Sequence, residues 1–212
     1  NLRSSIQSPL LIHSPETFQA GIYNAMNQVL HFLYVRPHFS SYDYFCFLNS
    51  GDILPQGFSP ISYLTRLVHL SPTPFPLPLV VFGHQSRLRS SFLGCSLTKY
   101  YSPPRFYGWR NIFRGGQFCH QSIYFPLNIC RSEQVFFDSS LFTFADLGFV
   151  VTLMRFHVPI HTNPSSGVIY DPKGFSSRKP VVTSVAKFKY LCSLPEISHI
   201  YAFDLLLFAL RS

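Results

Sequence analysis

Residues 44–52 have the sequence YFCFLNSGD, an apolar run followed by an acidic segment. Its apolar run over 44–48 is too short for an ordinary helix and is typical of a buried strand. The run ends in Asn-Ser-Gly-Asp, a composition that favours a turn. A buried strand that leads into an acidic turn predicts a carboxylate, Asp52, at the carboxyl edge of a parallel sheet. That edge is where open α/β sheets bind their ligands.

The segments around this strand predict an alternation of strands and helices. Two further strands are predicted over 79–82 and 118–125. A polar, aromatic and Gly/Pro-punctuated stretch over 84–116 predicts a long loop beside the site. Apolar residues at helical spacing predict helices over 21–34, 60–70, 141–155, 183–194 and 198–210. The alternation predicts an α/β domain whose sheet is mainly parallel and flanked by helices.

The composition bounds the class of protein. The chain has 212 residues, of which 47% are hydrophobic and 12% charged, so it can bury one sizeable core. This balance excludes a disordered chain and a coiled coil, which need many more charged residues. Asp and Glu number only nine, and any metal ligand or carboxylate base must come from those nine.

The net charge and the cysteines indicate which partners and which cellular compartment to expect. A formal charge of +8 favours anionic partners. The basic residues of 84–116 are spread over several short segments, whereas nucleic-acid binders concentrate charge on one element, so we expect no nucleic-acid partner. The five cysteines include no CxxC pair, which argues against a zinc knuckle or a disulfide framework and favours a reducing cytoplasm.

The turn at 49–52 has two interpretations from chemistry alone. Mg²⁺ is commonly held by one or two carboxylates together with substrate phosphate oxygens, a role open to Asp52. Asn49 and Ser50 could then hydrogen-bond the bound ligand. The alternative is an ordinary turn with no ligand, because Asn, Ser, Gly and Asp are the common turn residues.

Further segments resemble, in order, the family 2 inverting glycosyltransferases of the GT-A fold. The segment AGIYNAMNQVL (20–30) resembles that group's GIYDAMN helix start, and FLNSGD (47–52) resembles its version of the Asp-x-Asp motif. FCHQSIYF (118–125), FADLGFVVTL (144–153) and GFSS (174–177) are similar to its HQ segment, its ADYD helix and its GGvS loop. The ordered set covers about residues 14–178.

The resemblance implies an enzyme that moves a sugar from a nucleotide diphosphate donor to a glycan or lipid-linked acceptor with inversion. It implies Mg²⁺ or Mn²⁺ as cofactor, with Asp52 as metal ligand, and Asp146 as the catalytic base. A helix N-terminal acid is the alternative for Asp146, and a core histidine is the alternative for His120. The resemblance places Gly21, Tyr23, Asn24, Asn27, Asn49 and Ser50 at the donor, and His120, Gln121 and Ser176 on the acceptor or diphosphate side.

The sequence also departs from the family pattern. The family's DGxSxDGT stretch is not visible, so we expect a GT-A-like domain over 1–180 that is truncated at its N-terminus, followed by a helical extension over 181–212. Asn24 stands where the family has Asp, and ADYD has become ADLG. These changes leave open a degenerate, non-catalytic relative that binds or scaffolds.

The resemblance also bears on where the protein works. We expect a cytoplasmic protein, either free or at the inner face of the membrane. The apolar run 200–210 is too short to span a bilayer and contains Asp204, so it is either a buried helix or a peripheral membrane contact. A basic membrane-surface or nucleic-acid binder is the remaining alternative from another class.

Overall fold

The structure is a computed structural model that describes residues 21–37, 39, 43–49, 52–70, 77–89, 96–104, 108–109, 111, 119–170 and 180–197. Within these ranges the chain is a mixed α/β fold. Short 3-10 turns at His120–Ser122 and Ser139–Phe144 precede a strand and a helix. In chain order, the elements are α1 (Ile22–Val35), β1 (Tyr44–Phe45), α2 (Pro60–Leu70), β2 (Leu79–Arg89), β3 (Ser96–Tyr101), β4 (Ile123–Pro126), α3 (Leu127–Ser132), α4 (Ala145–Arg155), β5 (Ile160–Tyr170) and α5 (Pro180–Ser193).

The sheet is built around β2. One edge of β2 pairs in parallel with β5, from Leu79 opposite Ile160 to Ser86 opposite Tyr170. The other edge pairs antiparallel, first with β4 and then with β3. On the far side of β4, β1 adds another antiparallel pair. The prediction of a mainly parallel sheet is therefore wrong: among the described strands, only β2 and β5 run parallel.

Helix α1 forms where its apolar spacing predicts. Gly21 precedes the helix with φ of 134°, a backbone conformation that favours glycine. One face buries Met26, Leu30, Leu33 and Tyr34, which follow the helical repeat. At the other end, the Arg131 guanidinium donates hydrogen bonds to carbonyl oxygens of residues 33, 36 and 39. These bonds satisfy carbonyls that a helix end leaves unpaired.

The core lies between the sheet and the helices α1, α4 and α5. Aromatic rings dominate its centre, where Phe125 meets the edge of Phe149 and Phe149 stacks on Phe137 at 4.4 Å. Leu191 of α5, and Leu194 and Ile197 just beyond its end, belong to the same buried cluster. On the opposite face of β2, Phe58 and Tyr63 pack edge-on against Phe82. The sheet is thus covered on both faces over its central part.

Several element boundaries differ from the predicted ones. Strand β1 has only the residues 44–45, and β4 begins at Ile123 because a 3-10 turn occupies 120–122. The prediction of a loop throughout 84–116 is wrong, since β2 continues to Arg89 and pairs with β3. The predicted helix over 198–210 lies outside the described residues.

Strand β5 was not predicted, because its middle, Asn163 to Gly167, is a turn-like Asn-Pro-Ser-Ser-Gly sequence. The β2 register skips from Asn163 opposite Phe82 to Ser166 opposite Gly83. This irregularity bypasses Pro164, which cannot donate to a ladder. Gly167 lets the backbones approach, since a Cβ there would lie 2.7 Å from the Phe82 Cβ.

No helix in the described part of the chain is long and apolar enough to cross a membrane. The predicted boundary at 180/181 stays a prediction, although the core residues of α5 pack with those of α4.

Candidate functional site

Asp52 is held by its own turn and by β5. The backbone N–H of Asn49 donates to Asp52 Oδ2 at 2.7 Å, and the Asp52 N–H donates to the Asn49 carbonyl at 3.0 Å. The next residue, Ile53, exchanges two backbone hydrogen bonds with Ile169, of 2.9 and 2.8 Å. Asp52 is therefore anchored beside the carboxyl end of β5. The expected carboxyl edge of a mainly parallel sheet is not formed, because β1, the strand before the turn, is short and pairs antiparallel with β4.

The turn before β4 carries the HQ pair. The Ser122 hydroxyl and N–H both donate to the Cys119 carbonyl at 2.8 Å, which closes the turn. The Cys119 thiol donates to Gln121 Oε1 at 2.5 Å, and Gln121 and Ser122 are buried. His120 projects from the middle of this rigid turn. Its position is therefore fixed by backbone and side-chain bonds on either side of it.

Asp146 begins helix α4 and meets His120. Its Oδ1 accepts the backbone N–H of Leu147 at 2.8 Å, which is the helix N-terminal interaction that the sequence left open. Its Oδ2 lies 3.3 Å from His120 Nδ1. The Asp146 side chain is 20% exposed and the His120 side chain 13%, so the pair is mostly buried. The helix N-terminal interaction of Asp146 is therefore present, and its assignment as the catalytic base stays a prediction.

Tyr23 forms the third side of this site. Its ring stacks on Phe137 at 5.5 Å, and its phenol interacts with both the backbone and the carboxylate of Asp146. Burial, reinforced by the Asp146 charge, raises the pKa of Tyr23 well above its usual value, so it stays a neutral hydroxyl at physiological pH. The start of α1 and the start of α4 are therefore joined at the His120–Asp146 pair.

The thiol of Cys119 lies close enough to both Asp52 and Asp146 to be affected by their charges. Burial, with smaller contributions from the charges of Asp52 and Asp146, raises the pKa of Cys119 to about 12. Both carboxylates thus act on the same sulfur atom. The thiol is neutral at physiological pH, which makes Cys119 a hydrogen-bond donor rather than a nucleophile.

Other predicted site residues have different positions. Asn27 donates from Nδ2 to the Phe137 carbonyl at 2.9 Å and accepts the Phe137 N–H on Oδ1 at 2.8 Å. These bonds give its amide a structural role, and its assignment to donor binding stays a prediction. Gly21 and Asn24 lie at the N-terminus of α1, where the Gly21 carbonyl accepts the Asn24 N–H. The remaining two predicted residues, Ser50 and Ser176, lie outside the described residues.

The metal expectation can be tested against the residues present. Within the described ranges, no group of three or more His, Cys, Asp or Glu side chains could hold a metal ion on its own. A site for Mg²⁺ or Mn²⁺ built on Asp52 must therefore take its other ligands from substrate phosphate and water. That is the ordinary mode of magnesium in phosphate chemistry, so the residues fit such a site.

Sequence reasoning missed two residues of the site. Cys119 directly precedes the HQ pair and could have been found by its position. Tyr170 ends β5, which was not predicted. It is hydrogen-bonded with Ser86, and burial, with a smaller contribution from Cys119, raises its pKa. Ser86 in turn lies beside His84, whose ring stacks on Tyr101 at 4.9 Å.

Comparisons with protein-family models, with curated proteins and with solved structures found no match to this chain. The function therefore has to be argued from the site itself.

Proposed function

We propose that this chain carries the catalytic part of a nucleotide-sugar glycosyltransferase, which transfers a sugar with inversion to a hydroxyl of a glycan or lipid-linked acceptor. The observation that carries the proposal is the grouping of Asp52, Cys119, His120 and Asp146, which come from three distant parts of the chain. In this grouping, Asp146 contacts His120, and the charge of Asp52 acts on Cys119, which precedes His120 in the same turn. The resemblance of the segments that supply them gives the grouping its chemical interpretation.

The two carboxylates suit two different tasks. Asp52 is bound into a turn at the end of β5 and would hold Mg²⁺ or Mn²⁺ against the donor diphosphate. The metal would supply charge neutralisation for the leaving group. Asp146 lies beside an imidazole, an arrangement that supports removal of a proton from the attacking hydroxyl. A single-displacement transfer with inversion needs these two functions on opposite sides of the reacting sugar carbon.

A degenerate, non-catalytic binding protein is the second candidate, and one observation favours it. The family segment has a second acid at the position of Gly148, and this glycine is buried with Leu141 packed against it. A relative that had lost catalysis could tolerate this loss. Such a protein would bind the donor without releasing nucleoside diphosphate.

The test is a donor screen on the purified protein with Mg²⁺ and with Mn²⁺, following donor binding by calorimetry and the release of nucleoside diphosphate. We expect metal-dependent binding and release with one donor, and loss of both in Asp52→Asn. Glu133→Gln is the matched control, because Glu133 is exposed and its carboxylate accepts a hydrogen bond from the hydroxyl of the neighbouring Ser132. Binding without release would favour the non-catalytic candidate. If none of the donors binds, the proposal fails.

A further inference from the structure

The His120 ring has one nitrogen in use and one that is not. Nδ1 faces Asp146 Oδ2 at 3.3 Å. Because a carboxylate only accepts hydrogen bonds, a bond between these atoms requires the ring proton on Nδ1. The neutral ring then carries its lone pair on Nε2. That atom is buried and has no hydrogen-bond partner within the described residues. Such an orphaned atom costs about 1–3 kcal/mol and calls for a functional reason.

Asp146 is in the opposite situation, since both of its carboxylate oxygens are engaged. Oδ1 accepts the Leu147 N–H at the start of α4, and Oδ2 faces the imidazole. Tyr23 packs against the same residue from α1. Each oxygen keeps a second lone pair, but each already faces a group of the protein, the Leu147 N–H or the His120 ring. Its contacts are those of a carboxylate that orients a neighbouring ring.

We propose that His120, through Nε2, is the group that takes the proton from the acceptor hydroxyl, and that Asp146 is a positioning residue that fixes the tautomer and orientation of the ring. This inference rests on the proposed transfer reaction and revises the role that the resemblance assigns to Asp146. It deepens the same site by naming the catalytic residue within it.

The proposed transfer is a single displacement at the anomeric carbon. The acceptor O–H bond breaks and its proton moves to His120 Nε2, while the oxygen forms a bond with the anomeric carbon of the donor sugar. The bond from that carbon to the phosphate oxygen breaks, and its electron pair leaves with the nucleoside diphosphate. The resulting imidazolium is stabilised by the Asp146 carboxylate at Oδ2. No oxidant, reductant or further co-reactant is required.

The first test reads the tautomer directly and needs no substrate. In two-bond ¹H–¹⁵N correlation spectra of the full chain at a pH where the ring is neutral, we expect His120 to show a protonated Nδ1 and an unprotonated Nε2. His120→Gln identifies the signals, and Asp146→Asn should shift the ring toward the other tautomer. A wild-type ring that is protonated on Nε2 would overturn the proposal, whatever the protein transfers.

The second test uses chemical rescue once the donor screen has provided an assay. His120→Ala should lower kcat by about 10²- to 10⁴-fold with the Michaelis constant for the donor little changed, as expected for the loss of a general base. Added imidazole should restore part of that rate. Rescue of Asp146→Ala by formate, together with less than about a tenfold loss in His120→Ala, would make Asp146 the base instead. An absence of any transfer by the wild type would refute the proposed function, while the tautomer result would stand by itself.

Discussion

Replacing Asn27 by Ala tests the link that holds the start of α1 against the 135–138 segment. The wild-type amide makes two hydrogen bonds with the backbone of Phe137, of 2.9 and 2.8 Å, and the Phe137 side chain is 2% exposed. Truncation leaves a donor and an acceptor without their partner, at about 1–1.5 kcal/mol each in this half-buried setting. Alanine returns about 0.5 kcal/mol through its better helix propensity. We therefore expect a net loss of about 2 kcal/mol.

Urea unfolding, followed by circular dichroism, measures this loss as a lower midpoint at unchanged slope. Asn27→Asp is an informative second variant, because it keeps the acceptor for the Phe137 N–H but sets a carboxylate oxygen against the Phe137 carbonyl. Its loss should be at least as large. Gln28→Ala, one position along the same helix, is the matched control and should stay within about 0.5 kcal/mol of wild type. A loss below that value in Asn27→Ala would refute the assignment of a structural role.

Two further predictions concern the sheet. Burial lowers the pKa of His84, which is 5% exposed, to about 4. Between pH 6.5 and 4 the unfolded chain therefore takes up a proton at this residue that the folded chain does not. The free energy of unfolding should fall by at most about 3 kcal/mol as the pH is lowered through this range. The free energy of unfolding of the wild type minus that of His84→Phe, both measured in urea, should fall as the pH is lowered over that range. A constant value would contradict the burial argument. Gly167→Ala should cost about 1–3 kcal/mol because its Cβ would meet the Phe82 Cβ, whereas Gly108→Ala, which has open space, should be neutral in the same assay.

Local patterns of the sequence predicted the helices better than the sheet. The spacing of Met26, Leu30 and Leu33 defines one face of α1, and that face is buried. The parallel sheet was inferred from the order of the elements alone, whereas pairing depends on contacts between distant segments. β1 is short because only its residues 44–45 pair with β4.

The site was predicted residue by residue but not as a geometry. The sequence indicated His120 and Asp146 separately, yet their contact joins residues that are 26 positions apart. Asn27 shows the limit more clearly, since its partner Phe137 is 110 positions away and no local pattern marks it. Side chains that bond a distant backbone look, in the sequence, like side chains that bond a ligand.

The environment of Gly148 bears on whether one carboxylate suffices in this site. A Cβ at Gly148 would lie 2.5 Å from Leu141 Cδ1, so the space in which a second acidic side chain would begin is filled by an apolar one. That Cβ would also lie 3.6 Å from the Tyr190 hydroxyl. The site therefore has one carboxylate beside one histidine at this position. In the proposed arrangement, Asp146 orients the ring and His120 Nε2 accepts the proton, whereas a lone acid would have to accept the proton without such a partner. If His120 takes the proton, as proposed, the glycine at position 148 removes no group that the transfer needs.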